Sequence, residues 1–137
     1  MDLVIQRPVV LDTSAYSYLR RGHAAVTERL VEAPAVLVPS IVVGELLAGF
    51  RLGSREADNT RVLSDFLRED FVSLVPVDEE VALAYGEIFA ELRAARTPIP
   101  MNDVWISAVA RTCRASILTF DTDFLRVPGA EVILCAP

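Results

Sequence analysis

The segment Val9-Val10-Leu11-Asp12-Thr13-Ser14 sets three apolar residues directly before an acid and two hydroxyl side chains. The apolar run predicts a short buried strand over residues 8–11, and the polar residues that follow are of the kind that begin a helix. This step from strand to helix puts Asp12 at the carboxyl end of a strand, which is where parallel sheets usually bind ligands.

The same alternation of strand-like and helix-like patterns continues along the chain. Further strands are expected at residues 36–38, 71–77, 116–120 and 131–135, helices at residues 24–32, 41–50, 55–69, 78–92 and 101–113, and a turn or short helix at residues 121–125. This alternation predicts an α/β domain with a mainly parallel sheet.

Length and composition fit a single domain over residues 1–137. No apolar run approaches the roughly 18 residues that a membrane span requires. The first residues lack the basic and apolar regions of a signal peptide, so a cytoplasmic protein is expected. The two cysteines, Cys113 and Cys135, each end an apolar pattern and are expected to be buried, reduced thiols.

The chain has a net charge of −6, and all 13 of its basic residues are arginines. An acidic protein is not an obvious partner for nucleic acid. A phosphate backbone would have to meet local arginines, for which Arg20, Arg21 and Arg96 are candidates, with plain surface solubility as the competing explanation.

Two acids stand alone among apolar residues. Glu45 is the only charge in residues 40–50, and Asp103 is the only one in residues 101–110. A buried carboxylate is costly unless it is paired, protonated or bound to a metal. An arginine partner or an exposed helix edge remains open for Glu45, and a helix cap remains open for Asp103.

Other acids follow strands: Asp12 follows the first, and Asp121 and Asp123 follow the strand at residues 116–120. A helix cap would explain Asp12, and a turn would explain the pair. If the acids converge, they raise one another's pKa unless a hard cation neutralises them, and oxygen ligands suit Mg²⁺ or Mn²⁺. Such a site can activate water for phosphodiester hydrolysis.

Four segments resemble, in order, the acidic motifs of PIN domains. They are Val9-Val10-Leu11-Asp12-Thr13-Ser14-Ala15, Pro39-Ser40-Ile41-Val42-Val43-Gly44-Glu45-Leu46, Asn102-Asp103-Val104-Trp105-Ile106-Ser107-Ala108 and Leu118-Thr119-Phe120-Asp121-Thr122-Asp123-Phe124. Each motif is loose by itself, but four in order at suitable spacing are specific. The length and spacing resemble the VapC-type toxins of bacterial toxin–antitoxin pairs.

The resemblance implies a three-layer α/β/α sandwich around a central, mainly parallel sheet. It also implies a set of catalytic residues that bind Mg²⁺ or Mn²⁺, namely Asp12, Glu45, Asp103 and Asp121. Accessory roles are implied for Thr13, Ser14, Thr119 and Asp123, of which Asp123 matches an acid whose role varies in the family.

The resemblance further implies an endoribonuclease that hydrolyses RNA, forms a homodimer, is inhibited by a cognate antitoxin and reaches promoter DNA only through that antitoxin. A PIN nuclease in RNA processing and a catalytically silent PIN-fold binding protein remain alternatives, although the presence of all four acids argues against the second. Two positions depart from the usual pattern. Trp105 is interpreted as a core residue, with base stacking as the alternative, and Phe120 replaces a frequent polar residue and would alter RNA contacts.

Three other enzyme classes fit poorly. A haloacid-dehalogenase-type phosphatase needs a second aspartate two residues after Asp12, where the chain has Ser14. A receiver domain needs a lysine, and the chain has none. A Ser-His-Asp hydrolase would depend on His23, which is expected in a surface loop away from any nucleophile-elbow pattern.

Overall fold

The computed structural model describes residues 6–137, which form a five-stranded sheet flanked by helices. All paired strands run parallel, in the order β3-β2-β1-β4-β5. The strands are β1 (Val9–Leu11), β2 (Val36–Pro39), β3 (Val72–Val75), β4 (Ser116–Thr119) and β5 (Val132–Leu134). The predicted three-layer α/β/α architecture is confirmed, whereas the expectation of no signal peptide falls mainly on residues outside the described range.

Helices occupy the connections between the strands. They are α1 (Thr13–Arg20), α2 (Ala24–Glu32), α3 (Ser40–Leu52), α4 (Glu56–Leu67), α5 (Glu79–Ala94) and α6 (Met101–Cys113), and a short 3₁₀ helix covers Thr122–Arg126. These bounds lie within two residues of those expected from the sequence. None of the helices within residues 6–137 is long and apolar enough to cross a membrane.

The core is centred on β1 and its two neighbours. Val10, Leu11 and Leu118 have no exposed surface. Burying an aliphatic side chain of this size stabilises a fold by roughly 1.5–3 kcal/mol. The apolar runs that predicted strands are therefore the runs that anchor the sheet.

The strand order creates a crevice beside β1. The chain passes from β1 to β2 and β3 and then returns to β4 on the other side of β1, where Leu11 is in register with Leu118. The connections that leave β1 and β4 therefore diverge, and this switch point is where open α/β sheets bind ligands. Asp12 directly follows β1, and Asp121 comes shortly after β4.

The two thiols are less buried than the sequence indicated. Cys113 and Cys135 are free cysteines that are only partly buried, which corrects the expectation of a buried position. Cys113 ends α6, and Cys135 follows β5, which has a neighbouring strand on one side only. An apolar pattern marks the inward face of an element but does not say how far its last residue is covered.

Candidate functional site

Asp12 is the most buried acid of the crevice, with 4% of its surface exposed. It has extended backbone and caps α1, where its Oδ1 accepts a hydrogen bond of 2.8 Å from the Ala15 N–H. Burial raises the pKa of the Asp12 carboxyl, and hydrogen bonds from Thr119, Ala15 and Ser14 partly offset that rise. Asp12 is thus both a helix cap and a carboxylate aimed into the crevice.

Two hydroxyl side chains tie Asp12 to the segment that follows β4. The Ser14 Oγ donates to Asp12 Oδ1 at 2.8 Å, and the Thr119 Oγ1 donates to Asp12 Oδ2. The same hydroxyls accept from the chain beyond the strand, Ser14 from the Phe120 N–H at 3.1 Å and Thr119 from the Asp121 N–H at 2.9 Å. The carboxylate and the backbone that carries Asp121 are therefore held in one hydrogen-bonded unit.

Three other acids converge beside this unit. Asp103, Asp121 and Asp123 each offer a carboxylate oxygen, and these oxygens lie within 4.8 Å of one another. Asp121 caps the 3₁₀ helix by accepting a 2.9 Å hydrogen bond from the Asp123 N–H, so turn chemistry and clustering coexist here. Asp103 does not cap α6, because the cap residue before Met101 is Pro100 and no side chain caps this helix.

The clustering leaves an electrostatic signature on Asp103. Its pKa is raised from 3.8 to about 7, first by burial and then by the charges of Asp121, Asp12, Glu45 and Asp123. The acids predicted on separate elements therefore lie close enough to repel one another. Such repulsion is what a bound cation relieves.

Glu45 occupies a different setting from the one predicted. It accepts a 2.8 Å hydrogen bond from the Thr13 Oγ1 and is only partly buried, so the expectation of an isolated buried carboxylate is wrong. The reason is that α3 exposes one face, with Leu47 and Leu52 36% and 91% exposed. Burial therefore ranks Asp12 above Glu45, the reverse of the sequence argument.

An arginine that the sequence did not single out, Arg126, lies next to the acids. The Arg126 Nη1 lies 3.5 Å from the Asp123 Oδ1 and donates to the Pro98 carbonyl at 3.1 Å. It links the 3₁₀ helix to the loop before α6. The available signal was the spacing of Asp123 and Arg126, three residues apart in a helical turn, which brings the two side chains onto one face.

The remaining side chains singled out from the sequence divide between surface and structure. Arg20, Arg21 and Arg96 are exposed. Trp105 is partly buried against the core and stacks on Tyr85, with 4.0 Å between ring centroids. This contact agrees with the interpretation of Trp105 as a packing residue.

His23 lies in the loop between α1 and α2, as predicted, and its side chain makes two contacts there. Its Nδ1 accepts from the Val26 N–H at 3.4 Å, so the side chain caps α2. Its Nε2 lies 2.9 Å from the Ala136 carbonyl. His23 therefore lies in the predicted loop, where the cap of α2 and the Ala136 carbonyl engage its two ring nitrogens.

The acid cluster fits a hard divalent cation. The atoms that converge are carboxylate oxygens, the ligand type of Mg²⁺ and Mn²⁺ rather than of soft metals. The Asp12 carboxylate has about four acceptor positions. Its three donors, Ala15, Ser14 and Thr119, do not exhaust them. It can therefore still contribute to such a site.

The family profile described as PIN domain matches residues 9–130. Ribonuclease VapC4 of Mycobacterium tuberculosis is 34% identical over 96 residues, which cover 70% of this chain and 74% of that protein. Ribonuclease VapC1 of Rickettsia felis is 30% identical over 128 residues, covering 91% of this chain and 94% of that protein.

The fold has a close counterpart among solved structures. The structure of VapBC2 from Rickettsia felis, bound to a DNA fragment from its promoter, contains a chain that aligns with a TM-score of 0.82 at 21% identity. The alignment covers 94% of this chain and 99% of that chain. At this identity the likeness concerns the fold alone.

Proposed function

The chain belongs to the PIN-domain family and, within it, to the VapC-type members, and from this premise we propose that it is a single-domain endoribonuclease toxin that depends on Mg²⁺ or Mn²⁺. The observation that carries the proposal is the convergence of Asp103, Asp121 and Asp123 beside the buried Asp12. The reaction is hydrolysis of RNA phosphodiester bonds.

In this proposal Asp12, Glu45, Asp103 and Asp121 are the catalytic acids that hold the cation. Asp123 joins them, supported by the position of its carboxylate within the cluster. When bound, the cation neutralises charge on the scissile phosphate and lowers the pKa of a water molecule. Burial and mutual repulsion both raise the pKa of Asp103, and a divalent ion offsets the repulsion.

The surrounding residues position these acids. Ser14 and Thr119 orient the Asp12 carboxylate, and Thr13 orients Glu45. Arg126 steadies Asp123 from the side of the 3₁₀ helix. Asp12, Glu45 and Asp123 thus reach the crevice from different elements with their side chains restrained, which is the arrangement a precise site requires.

We also propose that a cognate antitoxin inhibits the enzyme in the cytoplasm and that the chain forms a homodimer. The relatives named VapC and the VapBC2 complex bound to promoter DNA support an antitoxin partner, with promoter DNA reached only through it. The exposed apolar side chains of α3, Leu47 and Leu52, support a protein contact on that helix.

The deciding experiment is an RNA cleavage assay on antitoxin-free protein with Mg²⁺, with Mn²⁺ and with EDTA. Asp103→Asn is the test variant, and Asp65→Asn is its matched control, because Asp65 is an exposed aspartate on α4. We expect metal-dependent cleavage by the wild type and the control, and a loss of at least about 100-fold in Asp103→Asn, in line with the loss of a group that acts on the transition state. Cleavage that persists in EDTA, or wild-type rates in Asp103→Asn, would refute the proposal.

A further inference from the structure

A cluster of aromatic rings adjoins the acids and has no part in holding a cation. We call Tyr18, His23 and Phe120 the aromatic cluster. The rings of Tyr18 and Phe120 are stacked with 4.0 Å between centroids and 22° between planes. The His23 ring meets both edge-on, at 5.5 Å from Tyr18 and 5.1 Å from Phe120. All three side chains are partly exposed, so the cluster borders solvent.

The cluster is fixed to the acid site through the backbone. Phe120 lies between Thr119 and Asp121, and its N–H donates to the Ser14 Oγ, which itself donates to Asp12. Tyr18 lies four residues after Ser14 on α1, a spacing that puts the two side chains on one face of the helix. The stacked rings therefore occupy the rim of the site at a set distance from the acids.

The histidine of the cluster makes a rigid edge. Its Nδ1 accepts from the Val26 N–H, so the proton resides on Nε2, which donates to the Ala136 carbonyl. Both ring nitrogens are thereby hydrogen-bonded, which restrains the ring. His23 contributes a ring edge that packs against Tyr18 and Phe120.

The positively charged side chain of Arg21 adjoins the aromatic cluster. The Arg21 guanidinium carbon lies 5.1 Å from the Tyr18 ring centroid, and Arg21 is exposed. Within residues 6–137 Arg21 takes part in no salt bridge, so its charge is available to a ligand. Flat rings beside a guanidinium that is in no salt bridge are the combination that binds single-stranded nucleic acid, through a base and a neighbouring phosphate.

We propose that Tyr18 and Phe120 form a base-stacking subsite, which holds an unpaired nucleobase of the RNA next to the scissile phosphate while Arg21 contacts the backbone. The proposal rests on the ribonuclease activity proposed above. Bases inside an RNA duplex are already stacked and inaccessible, so the subsite selects single-stranded segments. It tolerates different bases, because every base offers a flat face.

The test removes each ring of the stacked pair in turn. Tyr18→Leu and Phe120→Leu remove the aromatic faces while retaining bulk, and Phe71→Leu is the matched control. Phe71 is 47% exposed and lies at the amino end of the edge strand β3, whereas Asp12 and Asp121 follow the carboxyl ends of the inner strands β1 and β4. The substrates are one single-stranded RNA oligonucleotide and a series of the same oligonucleotide with one abasic nucleotide at successive positions.

For the wild type and Phe71→Leu we expect one abasic position near the cut to lower kcat/KM at least about fivefold, the scale of a single base–aromatic stack. In Tyr18→Leu and Phe120→Leu, kcat/KM on intact RNA should fall by a similar factor. The abasic nucleotide at that position should then cause no further fall. A second readout is the fluorescence of 2-aminopurine placed at that position. Binding to the Asp103→Asn protein should quench this fluorescence, and the quenching should disappear in the double variant that also carries Tyr18→Leu.

The outcomes separate the two proposals. The contrary result is a folded Tyr18→Leu variant that cleaves RNA and loses as much kcat/KM at the abasic position as the wild type does. That result would overturn the proposed subsite and leave the proposed ribonuclease activity standing. Failure of the wild type to cleave any RNA with Mg²⁺ or Mn²⁺ would overturn both. If Phe120→Leu unfolds because of its place between Thr119 and Asp121, Tyr18→Leu alone still decides.

Discussion

Asp103→Asn should make the metal-free protein more stable while destroying its activity. The pKa of Asp103 rises from 3.8 to about 7 in the folded chain, by burial and then by the neighbouring acids. Ionising this carboxyl is therefore harder in the folded state than in the unfolded one. An amide of the same shape carries no charge, so the penalty disappears in the variant.

The size of the effect follows from the pKa difference. A rise of about three units corresponds to about 4 kcal/mol at 1.36 kcal/mol per unit. Asp103 is only partly buried, so solvent screening reduces the expected gain to about 1–2 kcal/mol.

The sign follows from proton binding. Between pH 3.8 and about 7 the folded state holds more protons than the unfolded state, so the wild type loses stability as pH rises and then levels off. The increase in the free energy of unfolding caused by Asp103→Asn should accordingly be complete at pH 8 and about half as large at pH 5.5.

The assay is urea denaturation in EDTA at pH 5.5 and pH 8, with Asp65→Asn as the control that removes an exposed charge. Added Mg²⁺ should stabilise the wild type more than Asp103→Asn, because an ion that binds only the folded state adds to its stability. An Asp103→Asn protein that is no more stable than the wild type at pH 8 in EDTA would show that the acids do not repel one another as inferred. A gain equal at both pH values would show that the charge of Asp103 is not its source.

Three further changes probe separate parts of the structure. Thr119→Val removes one of the two hydroxyl donors to the buried Asp12 Oδ2, which then keeps only the Ser14 Oγ at 3.0 Å. We expect the free energy of unfolding to fall by about 1–3 kcal/mol and RNA cleavage to fall at least about tenfold; unchanged values would remove Thr119 from the network. Arg111→Leu breaks a two-armed pair with Glu91 (3.1 and 2.9 Å) and should lower stability by about 1–3 kcal/mol by urea titration, while the folded fraction keeps its cleavage rate. The Leu52 side chain is 91% exposed, so Leu52→Asp should weaken self-association, measured by light scattering, without changing the midpoint of unfolding. A dimer that is as stable as that of the wild type would place the interface elsewhere.

The secondary structure was largely predictable because it depends on local patterns. The apolar run before Asp12 and the alternation after it defined the elements to within two residues. The order of the strands was not predictable in this way, because no local signal says that β4 returns to pair with β1. The proximity of Asp12 and Asp121 is a consequence of that return.

The sequence identified the acids by their apolar neighbours and their positions after strands, but the structure ranks their burial differently. Glu45 drew attention through its apolar neighbours, yet α3 has an exposed face and Glu45 is hydrogen-bonded to Thr13. Asp12 had a simple explanation as a helix cap, yet it is the acid most withdrawn from water. Helical projection shows which residues share a face but not which face a neighbouring element covers, so burial could not be ranked from the sequence.

The bond between Thr119 and Asp12 joins residues that are 107 positions apart in the chain. During synthesis Asp12 is therefore made long before the strand that completes its surroundings. Because contacts at such separation carry the full cost of closing the loop between them, the pairing of β4 with β1 and the assembly of the acids belong to the same late step of folding. A nascent chain that ends before residue 116 lacks β4 and Asp121 and so has no complete nuclease site, which means that the proposed ribonuclease activity can begin only after β4 has been made.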